Sequence, residues 1–301
     1  MELVKLYPRV KDYIWGGNYF QRFSKGLGLE RVSECWELSV RDEDSSLICS
    51  GPDSGRQLHD VLTKEDIGPC MNRFPYFPLL IKLIDAKENL SVQVHPDDEY
   101  ALKNEGSFGK TEMWHIISAE EGSGLYVGLN RDYSKEEIKR NLKEGTILNC
   151  LNFFRVKPGD NFLIKPGTIH AIGKGVRLIE IQQNSNITYR LYDYNRLGVD
   201  GKPRELHIDK ALEVIDYHKY EMRKEESDVL ADNQYFKVKK LSFDGEIRLF
   251  ANNQSFISFT FIEGEGMVNE ERFSQFDTFF LPYKKECLIK GKGIVIVSEI
   301  G

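Results

Sequence analysis

The sequence lacks any apolar stretch that approaches the roughly 20 residues needed to cross a bilayer. Its first fifteen residues, MELVKLYPRVKDYIW, lack the apolar segment of a secretion signal. It also lacks a run of lysine or arginine, and its 41 basic and 47 acidic side chains leave a net charge of -6. We therefore expect a protein with neither a membrane nor a nucleic acid as its partner.

Cysteine is scarce and scattered along the chain. The five cysteines are odd in number and never form a Cys-x-x-Cys pair, which argues against a disulfide framework and against a thiolate zinc site. A reducing compartment suits such a chain, so we expect a cytoplasmic protein. The last of the six histidines is His218, so an imidazole-bound metal would have to lie before the C-terminal segment.

Runs of strand-forming residues dominate the sequence. Aromatic residues make up 12% of it, including 18 Phe and 14 Tyr, and hydrophobic residues make up 41%, which suits an ordered core. Turn-bounded runs rich in β-branched residues recur, such as LLIKLID, LSVQVH, VRLIEIQ and GIVIVSEI. Helical patterns are short: QLHDVLTKED, DDEYALKNE, HIDKALEVIDYH and a segment opened by a capping box from Ser134 to Glu137. The pattern predicts an all-β sandwich or barrel with short helical insertions.

The last third of the chain repeats part of the first. Both Gly159 to Ile181 and Phe276 to Ile300 follow the order aspartate, aromatic strand, Pro, turn, Gly-Lys-Gly, aliphatic strand and Glu-Ile. The polar segment around residues 216 to 234 has the composition of a linker. We predict a larger β domain over residues 1–225, which would hold any imidazole-bound metal, and a smaller β domain over residues 235–301.

Four potential metal ligands lie on or beside predicted strands. Gln93 and His95 are two residues apart on a strand pattern, so both side chains point to the same face. Glu112 begins the strand in GKTEMWHII, and His170 follows a Pro-Gly turn. Two imidazoles, a carboxylate and an amide oxygen on neighbouring strands are a plausible site for zinc or another first-row divalent metal.

The sequences of these segments resemble those of the type I mannose-6-phosphate isomerases, which have the cupin fold. The resemblance runs through YIWGG, LLIKLIDAKENLSVQVHP, GKTEMWHII and PGTIHAIGKGVRLIEIQQNSNITYRLYDYNR, and covers most of residues 1 to 215. It implies a jelly-roll β-barrel for the first part of the chain, and the internal repeat then predicts a smaller, degenerate cupin-like barrel for the second part. It also implies that Gln93, His95, Glu112 and His170 bind one Zn²⁺ per chain, and that a sugar phosphate is the substrate of a monomer or homodimer.

The same resemblance suggests catalytic residues. Isomerisation of an aldose to a ketose needs a base that carries a proton between C1 and C2, and the family points to Glu180 in VRLIEIQ for this base. Lys82 and Lys110 are the other ionisable candidates, so the choice of base stays open. Arg190 is implied to project into the pocket.

A phosphate ester needs a guanidinium or an ammonium group to hold it. By the resemblance, Arg196 is expected to contact the phosphate. Ser91, which shares the face of Gln93, is a further hydrogen-bond donor.

The chain departs from the family pattern in two ways. Several members have a histidine immediately before the lysine of the Lys-x-Glu motif, where this chain has Gly109. The larger members also carry a helical domain that this chain has no room for, which places the resemblance with the compact bacterial branch. Two other functions stay open: a non-haem iron cupin oxygenase that uses His95, Glu112 and His170, and a non-catalytic sugar-binding cupin.

Overall fold

The computed structural model describes residues 1–198, 201–222, 227–252 and 254–301. Within these residues the strands β1 to β13 are, in chain order, Val4–Tyr7, Arg9–Lys11, Glu34–Leu38, Leu47–Ile48, Leu79–Ala86, Val92–Val94, Glu112–Ala119, Gly124–Leu129, Leu151–Arg155, Asn161–Ile164, His170–Ile172, Val176–Gln183 and Tyr189–Tyr192. The strands β14 to β19 are Val229–Asp232, Phe236–Phe250, Ile257–Val268, Glu271–Phe273, Thr278–Leu281 and Glu286–Ile300. The helices α1 to α5 are Leu58–Val61, Lys64–Ile67, Asp98–Glu105, Lys135–Glu144 and Ile208–Val214.

The short helices lie where the sequence predicts them. Each of the four predicted segments contains at least one of α1 to α5. The capping box before α4 is present: Ser134 Oγ accepts from the Glu137 backbone N–H at 3.2 Å, and Glu137 accepts from the Ser134 N–H at 2.8 Å. These hydrogen bonds satisfy backbone donors that a helix N-terminus otherwise leaves free.

The strands form three antiparallel sheets. The six-stranded sheet has the order β10-β7-β12-β5-β3-β2, and the five-stranded sheet has the order β13-β6-β11-β8-β9. The third sheet has the order β14-β15-β19-β16-β18-β1-β4, with β17 paired to β16. The predicted all-β class with short helical insertions is confirmed.

The six-stranded sheet is buried on both faces. Along β5, Leu79, Ile81 and Leu83 join the core shared with the eight-stranded C-terminal sheet, whereas Ile84 joins the core shared with the five-stranded sheet. This alternation is the period of two that a strand imposes on its side chains. Lys82, which lies between Ile81 and Leu83, therefore points with Ile84 into the space between the first two sheets.

The sheet orders support the predicted duplication. In the N-terminal part, β10 and β12 both pair with β7, and the other neighbour of β12 is β5. In the C-terminal part, β18 and β19 both pair with β16, and the other neighbour of β19 is β15. The two repeated segments thus occupy equivalent places in their sheets.

The region between the two parts differs from a simple linker. Residues 223–226 of the predicted linker lie outside the described residues. Strand β14 lies inside the predicted linker and pairs with β15, because Val229, Leu230 and Ala231 supply apolar side chains to its otherwise polar sequence. Strands β1 and β4 also pair within the C-terminal sheet, so the start of the chain contributes to it. The domain boundaries at residues 225 and 235 remain a prediction.

Candidate active site

Three of the predicted metal ligands meet at one point between the two facing sheets. Ligand atoms of His95, Glu112 and His170 all lie within 4.8 Å of one another, and the three residues are buried. His95 directly follows β6, Glu112 begins β7 and His170 begins β11. Gln93 is paired in register with His170, and its side-chain amide lies 3.3 Å from His170 Nε2. A 180° rotation of the Gln93 side-chain amide would exchange its nitrogen and oxygen and direct the oxygen towards the three ligand atoms.

Backbone carbonyls fix the orientation of both imidazole rings. His95 Nδ1 lies 2.8 Å from the Ile187 carbonyl oxygen, and His170 Nδ1 lies 2.9 Å from the Thr168 carbonyl oxygen. A carbonyl oxygen can only accept, so each Nδ1 carries the proton and donates it. Each Nε2 is then unprotonated, and the two Nε2 atoms lie 3.3 Å (His95) and 3.6 Å (His170) from carboxylate oxygens of Glu112. Histidine ligands are commonly held in this way around bound metals.

The protonation states in this cluster suit a metal. Burial and the nearby Lys110 ammonium lower the pKa of His95 to about 3, and burial lowers the pKa of His170. Burial alone raises the pKa of Glu112, but Lys110 and the two histidines outweigh it and hold that pKa well below its usual range. Neutral imidazoles and an ionised carboxylate are the forms that coordinate a cation.

The carboxylate of Glu112 is also short of hydrogen bonds. Its two oxygens are buried, and neither accepts a hydrogen bond of good geometry within the described part of the chain. Lys110 Nζ lies 2.5 Å from Oε1 and forms an ion pair with it. Buried polar atoms without such partners are costly, and a bound cation would satisfy them. The residues present therefore fit a divalent metal.

A cleft of about 470 Å³ opens beside this cluster. Gln93 and Lys110 line it, with the three buried ligands directly behind them. Lys82 and Glu180 line the same cleft from β5 and β12, and their Nζ and Oε1 atoms are 3.1 Å apart. The register of these two strands pairs the residues directly, so the contact follows from the sheet itself.

The pKa values of Lys82 and Glu180 are both raised, with different consequences for proton transfer. Burial lowers the pKa of Lys82, but the carboxylates of Glu180 and Glu34 outweigh burial and raise it, so the ammonium keeps its proton. Burial and the negative charge of Glu112 raise the pKa of Glu180 despite Lys82. Trp114 Nε1 donates to Glu180 Oε2 at 2.8 Å, which fixes the carboxylate and leaves Oε1 facing Lys82.

Arginines and a serine lie farther along the cleft. Arg190 Nε donates to Ser91 Oγ at 3.3 Å, and Arg190 Nη1 donates to the Glu205 carbonyl at 2.8 Å. Burial and the nearby guanidinium of Arg204 lower the pKa of Arg190. Arg204 also lines the cleft and contacts Asp193 through two hydrogen bonds of 2.6 Å. Two guanidinium groups that repel each other beside a cleft are suited to an anion between them.

Arg196 does not line this cleft. Its Nη1 donates to the Asn89 carbonyl at 2.6 Å, and its Nη2 forms an ion pair with Asp193 at 2.5 Å. The structure thus brings together Ser91, Lys82, Lys110, Glu180 and Arg190 with the four potential metal ligands, and it holds Arg196 outside them.

Sequence reasoning missed several residues of the cleft. Glu34, Trp36, Arg204 and His207 all line it. Trp36 Nε1 donates to Glu34 at 2.6 Å, and the Arg190 backbone N–H donates to His207 Nδ1 at 3.2 Å. The period-two spacing of Glu34 and Trp36 on β3 was a usable signal, whereas Arg204 and His207 follow a loop and carry no periodic pattern.

The fold and the cluster together define a cupin with a candidate metal centre. Residues 3–108 match the family model of the phosphomannose isomerase type I catalytic domain. The chain is 36% identical to the mannose-6-phosphate isomerase ManA of Bacillus subtilis over 97% of each protein. It is 34% identical to the mannose-6-phosphate isomerase of Streptococcus mutans, over 87% of this chain and 85% of that one. The crystal structure of the mannose 6-phosphate isomerase from Bacillus subtilis aligns with a TM-score of 0.87 and 34% identity, covering 100% of both chains. The chain belongs to the type I phosphomannose isomerase family.

The helices are short and mostly amphipathic or polar. In the described residues none combines the length and the apolar character that a membrane span requires.

Proposed function

We propose that the protein interconverts mannose 6-phosphate and fructose 6-phosphate in the cleft beside the buried ligand cluster. The observation that carries this function is the contact of Lys82 with Glu180, in the same cleft as His95, Glu112 and His170. Isomerisation of an aldose to a ketose needs a base that moves a proton between C1 and C2 and positive charge that stabilises the enediolate, and this cleft offers both. The family membership of the chain favours this reaction over the oxygenase and the non-catalytic cupin.

In this proposal one zinc ion is held by His95, Glu112, His170 and the amide oxygen of Gln93. Two nitrogen and two oxygen donors form a ligand set that suits zinc. When bound, the metal supplies Lewis-acid stabilisation of the negative charge that develops on the sugar oxygens. The cytoplasm is the expected compartment for such an enzyme, since its substrates are metabolites and its cysteines need no oxidant.

Glu180 is the group that moves the proton between C1 and C2. Lys82 cannot accept a proton, because its two carboxylate neighbours keep it protonated. Glu180 can accept one, and its raised pKa brings it closer to the working pH, which is favourable for general-base catalysis. Lys82 and Lys110 supply fixed positive charge near the cis-enediolate, and Lys110 also holds Glu112 in place.

The phosphate is held at the far end of the cleft. Arg190 and Arg204 both line this end, and an anion between them relieves their mutual repulsion. The hydroxyl of Ser91 is fixed by Arg190 Nε. Binding by Arg196 stays a prediction, and it would require that side chain to leave the Asn89 carbonyl.

A coupled assay that follows fructose 6-phosphate formation from mannose 6-phosphate tests this function. We expect activity in the purified protein, loss of activity after chelation and recovery with Zn²⁺. Glu180→Gln should lower kcat by about 10²- to 10⁴-fold, the usual contribution of a positioned base. Glu299→Gln is the matched control, since Glu299 is a half-buried carboxylate of the C-terminal sheet. A protein that binds mannose 6-phosphate without turning it over would contradict the proposal.

A further inference from the structure

The segment that carries Lys110 is held by three consecutive backbone hydrogen bonds. The Gly109 N–H donates to Asp98 Oδ1 at 2.8 Å, and the Lys110 N–H donates to the Pro96 carbonyl at 3.1 Å. The Thr111 N–H donates to Gln183 Oε1 at 2.8 Å. The position of the Lys110 side chain, whose Nζ lies 2.5 Å from Glu112 Oε1, therefore depends on partners that lie outside residues 109–111.

Asp98 joins these partners to the C-terminal part of the chain. Its Oδ1 accepts from Gln183 Nε2 at 3.1 Å as well as from Gly109, and its Oδ2 accepts from the Tyr235 hydroxyl at 2.7 Å. Tyr235 directly precedes β15, and its ring packs against the core between the six-stranded and C-terminal sheets. A carboxylate with donors on both oxygens is fixed in one orientation, and so are the groups that it accepts from.

Gly109 shows how tightly this segment is packed. A side chain at this position would run into the backbone of Pro96 and Asp97. The loop that follows His95 therefore lies directly against the backbone that leads to Lys110. A small shift of Asp98 on α3 is transmitted to Lys110, because no space between the two segments can absorb it.

We propose that Tyr235 is a positioning residue for the isomerase reaction, acting through Asp98 and Gln183 on the backbone of residues 109–111 and so on the place of the Lys110 ammonium. The C-terminal part of the chain thereby contributes to the active site without touching the substrate. This inference rests on the proposed isomerase activity.

Tyr235→Phe tests the inference, because it removes the hydroxyl and keeps the ring. We expect kcat to fall by about three- to tenfold, the effect of one lost hydrogen bond, with the KM for mannose 6-phosphate within about twofold. The decisive measurement is the effect of Tyr235→Phe on kcat in a protein that already carries Lys110→Met. If Tyr235 acts through Lys110, Tyr235→Phe has little further effect on kcat there; if its role is only structural, the two losses multiply.

Tyr100→Phe is the matched control. Tyr100 lies on the same helix as Asp98 and donates to Glu213 at 2.6 Å, away from residues 109–111. Its loss should leave kcat and KM unchanged. Where Tyr235→Phe does not fold, Asp98→Asn in the same two backgrounds replaces it. An inactive wild-type protein would refute the isomerase function, whereas an active wild type with an unchanged kcat in Tyr235→Phe, or with multiplying losses, would refute only this inference.

Discussion

A buried ion pair between Lys25 and Glu37 joins the N-terminal segment to the C-terminal sheet. Lys25 Nζ lies 2.8 Å from Glu37 Oε1, and the two side chains are 5% and 0% exposed. The Thr278 hydroxyl, at the start of β18, donates to Glu37 Oε2 at 2.9 Å. Lys25→Met keeps most of the volume of the side chain and removes its charge. Among the described residues, the buried carboxylate of Glu37 then keeps the hydroxyl of Thr278 as its one side-chain donor.

The expected cost follows from that burial. Removing one partner of a buried pair typically costs about 3–5 kcal/mol, since the remaining charge is uncompensated. This is a large part of the roughly 5–15 kcal/mol by which a native domain is stable. The cost should also depend on pH. Burial already raises the pKa of Glu37 in the folded protein, with Lys25 as the main opposing influence, so the substitution raises that pKa further.

The sign of the pH effect is fixed by proton binding. With its raised pKa, folded Glu37 binds a proton more readily than the unfolded chain does, so stability falls as pH rises through the interval between the two pKa values. The deficit of Lys25→Met is therefore largest above the raised pKa and shrinks by up to about 1.4 kcal/mol per pH unit below it. Urea unfolding of the wild type and the variant at about pH 8 and about pH 5.5 measures both effects.

A double variant supplies the control. Lys25→Met with Glu37→Gln removes both charges, and it should recover most of the lost stability at about pH 8. A cost below about 1 kcal/mol for Lys25→Met would refute the reasoning, because it would mean that Glu37 is solvated in the folded protein. An equal cost at both pH values would also refute it, because it would mean that the pKa of Glu37 is not raised into this pH interval.

Three further predictions concern the active site. His170→Ala should lose stoichiometric metal and nearly all isomerase activity while circular dichroism keeps the β signature; metal analysis that finds a full equivalent would contradict the proposed ligand set. Arg204→Ala should raise the KM for mannose 6-phosphate by roughly tenfold to a hundredfold, because it removes a charged hydrogen-bond donor, and Arg196→Ala should raise it less. If steady-state kinetics showed the larger increase in KM for Arg196→Ala, Arg196 would be the phosphate ligand instead. Gly109→Ala should destabilise the protein by about 1–3 kcal/mol, since the Cβ of the new alanine meets the backbone of the loop after His95. If the variant had the same midpoint of thermal unfolding as the wild type, this loop would have to be able to move aside.

Part of the candidate site could be predicted from local patterns. A strand turns every second side chain to the same face, so the spacing of Gln93 and His95 already placed both on one side of β6. Glu180 and Lys82 came instead from the family resemblance and from their ionisable side chains, since β5 is buried at every position and its burial pattern marks no single face. The resemblance of these segments to the family then indicated which inward residues belong together.

Residues that reach the cleft from loops or from another sheet could not be predicted in this way. The resemblance implied Arg190 in the pocket and Arg196 at the phosphate, and only the fold shows that Arg190 lines the cleft whereas Arg196 donates to the Asn89 carbonyl. Arg204 and His207 reach the cleft because the chain after β13 comes back beside that strand. No repeat of apolar and polar residues in the sequence predicts such a path.

The sequence by itself determined the all-β class, the alternation of side chains along each strand, and the repeated order of motifs in the two parts of the chain. These follow from local backbone geometry, which depends on neighbouring residues alone. Only the tertiary structure decided that His170 pairs with Gln93, that Tyr235 reaches Asp98 and that Lys25 meets Glu37. Those contacts join residues far apart in the chain, and their formation depends on how complete sheets pack together, which no short stretch of sequence encodes.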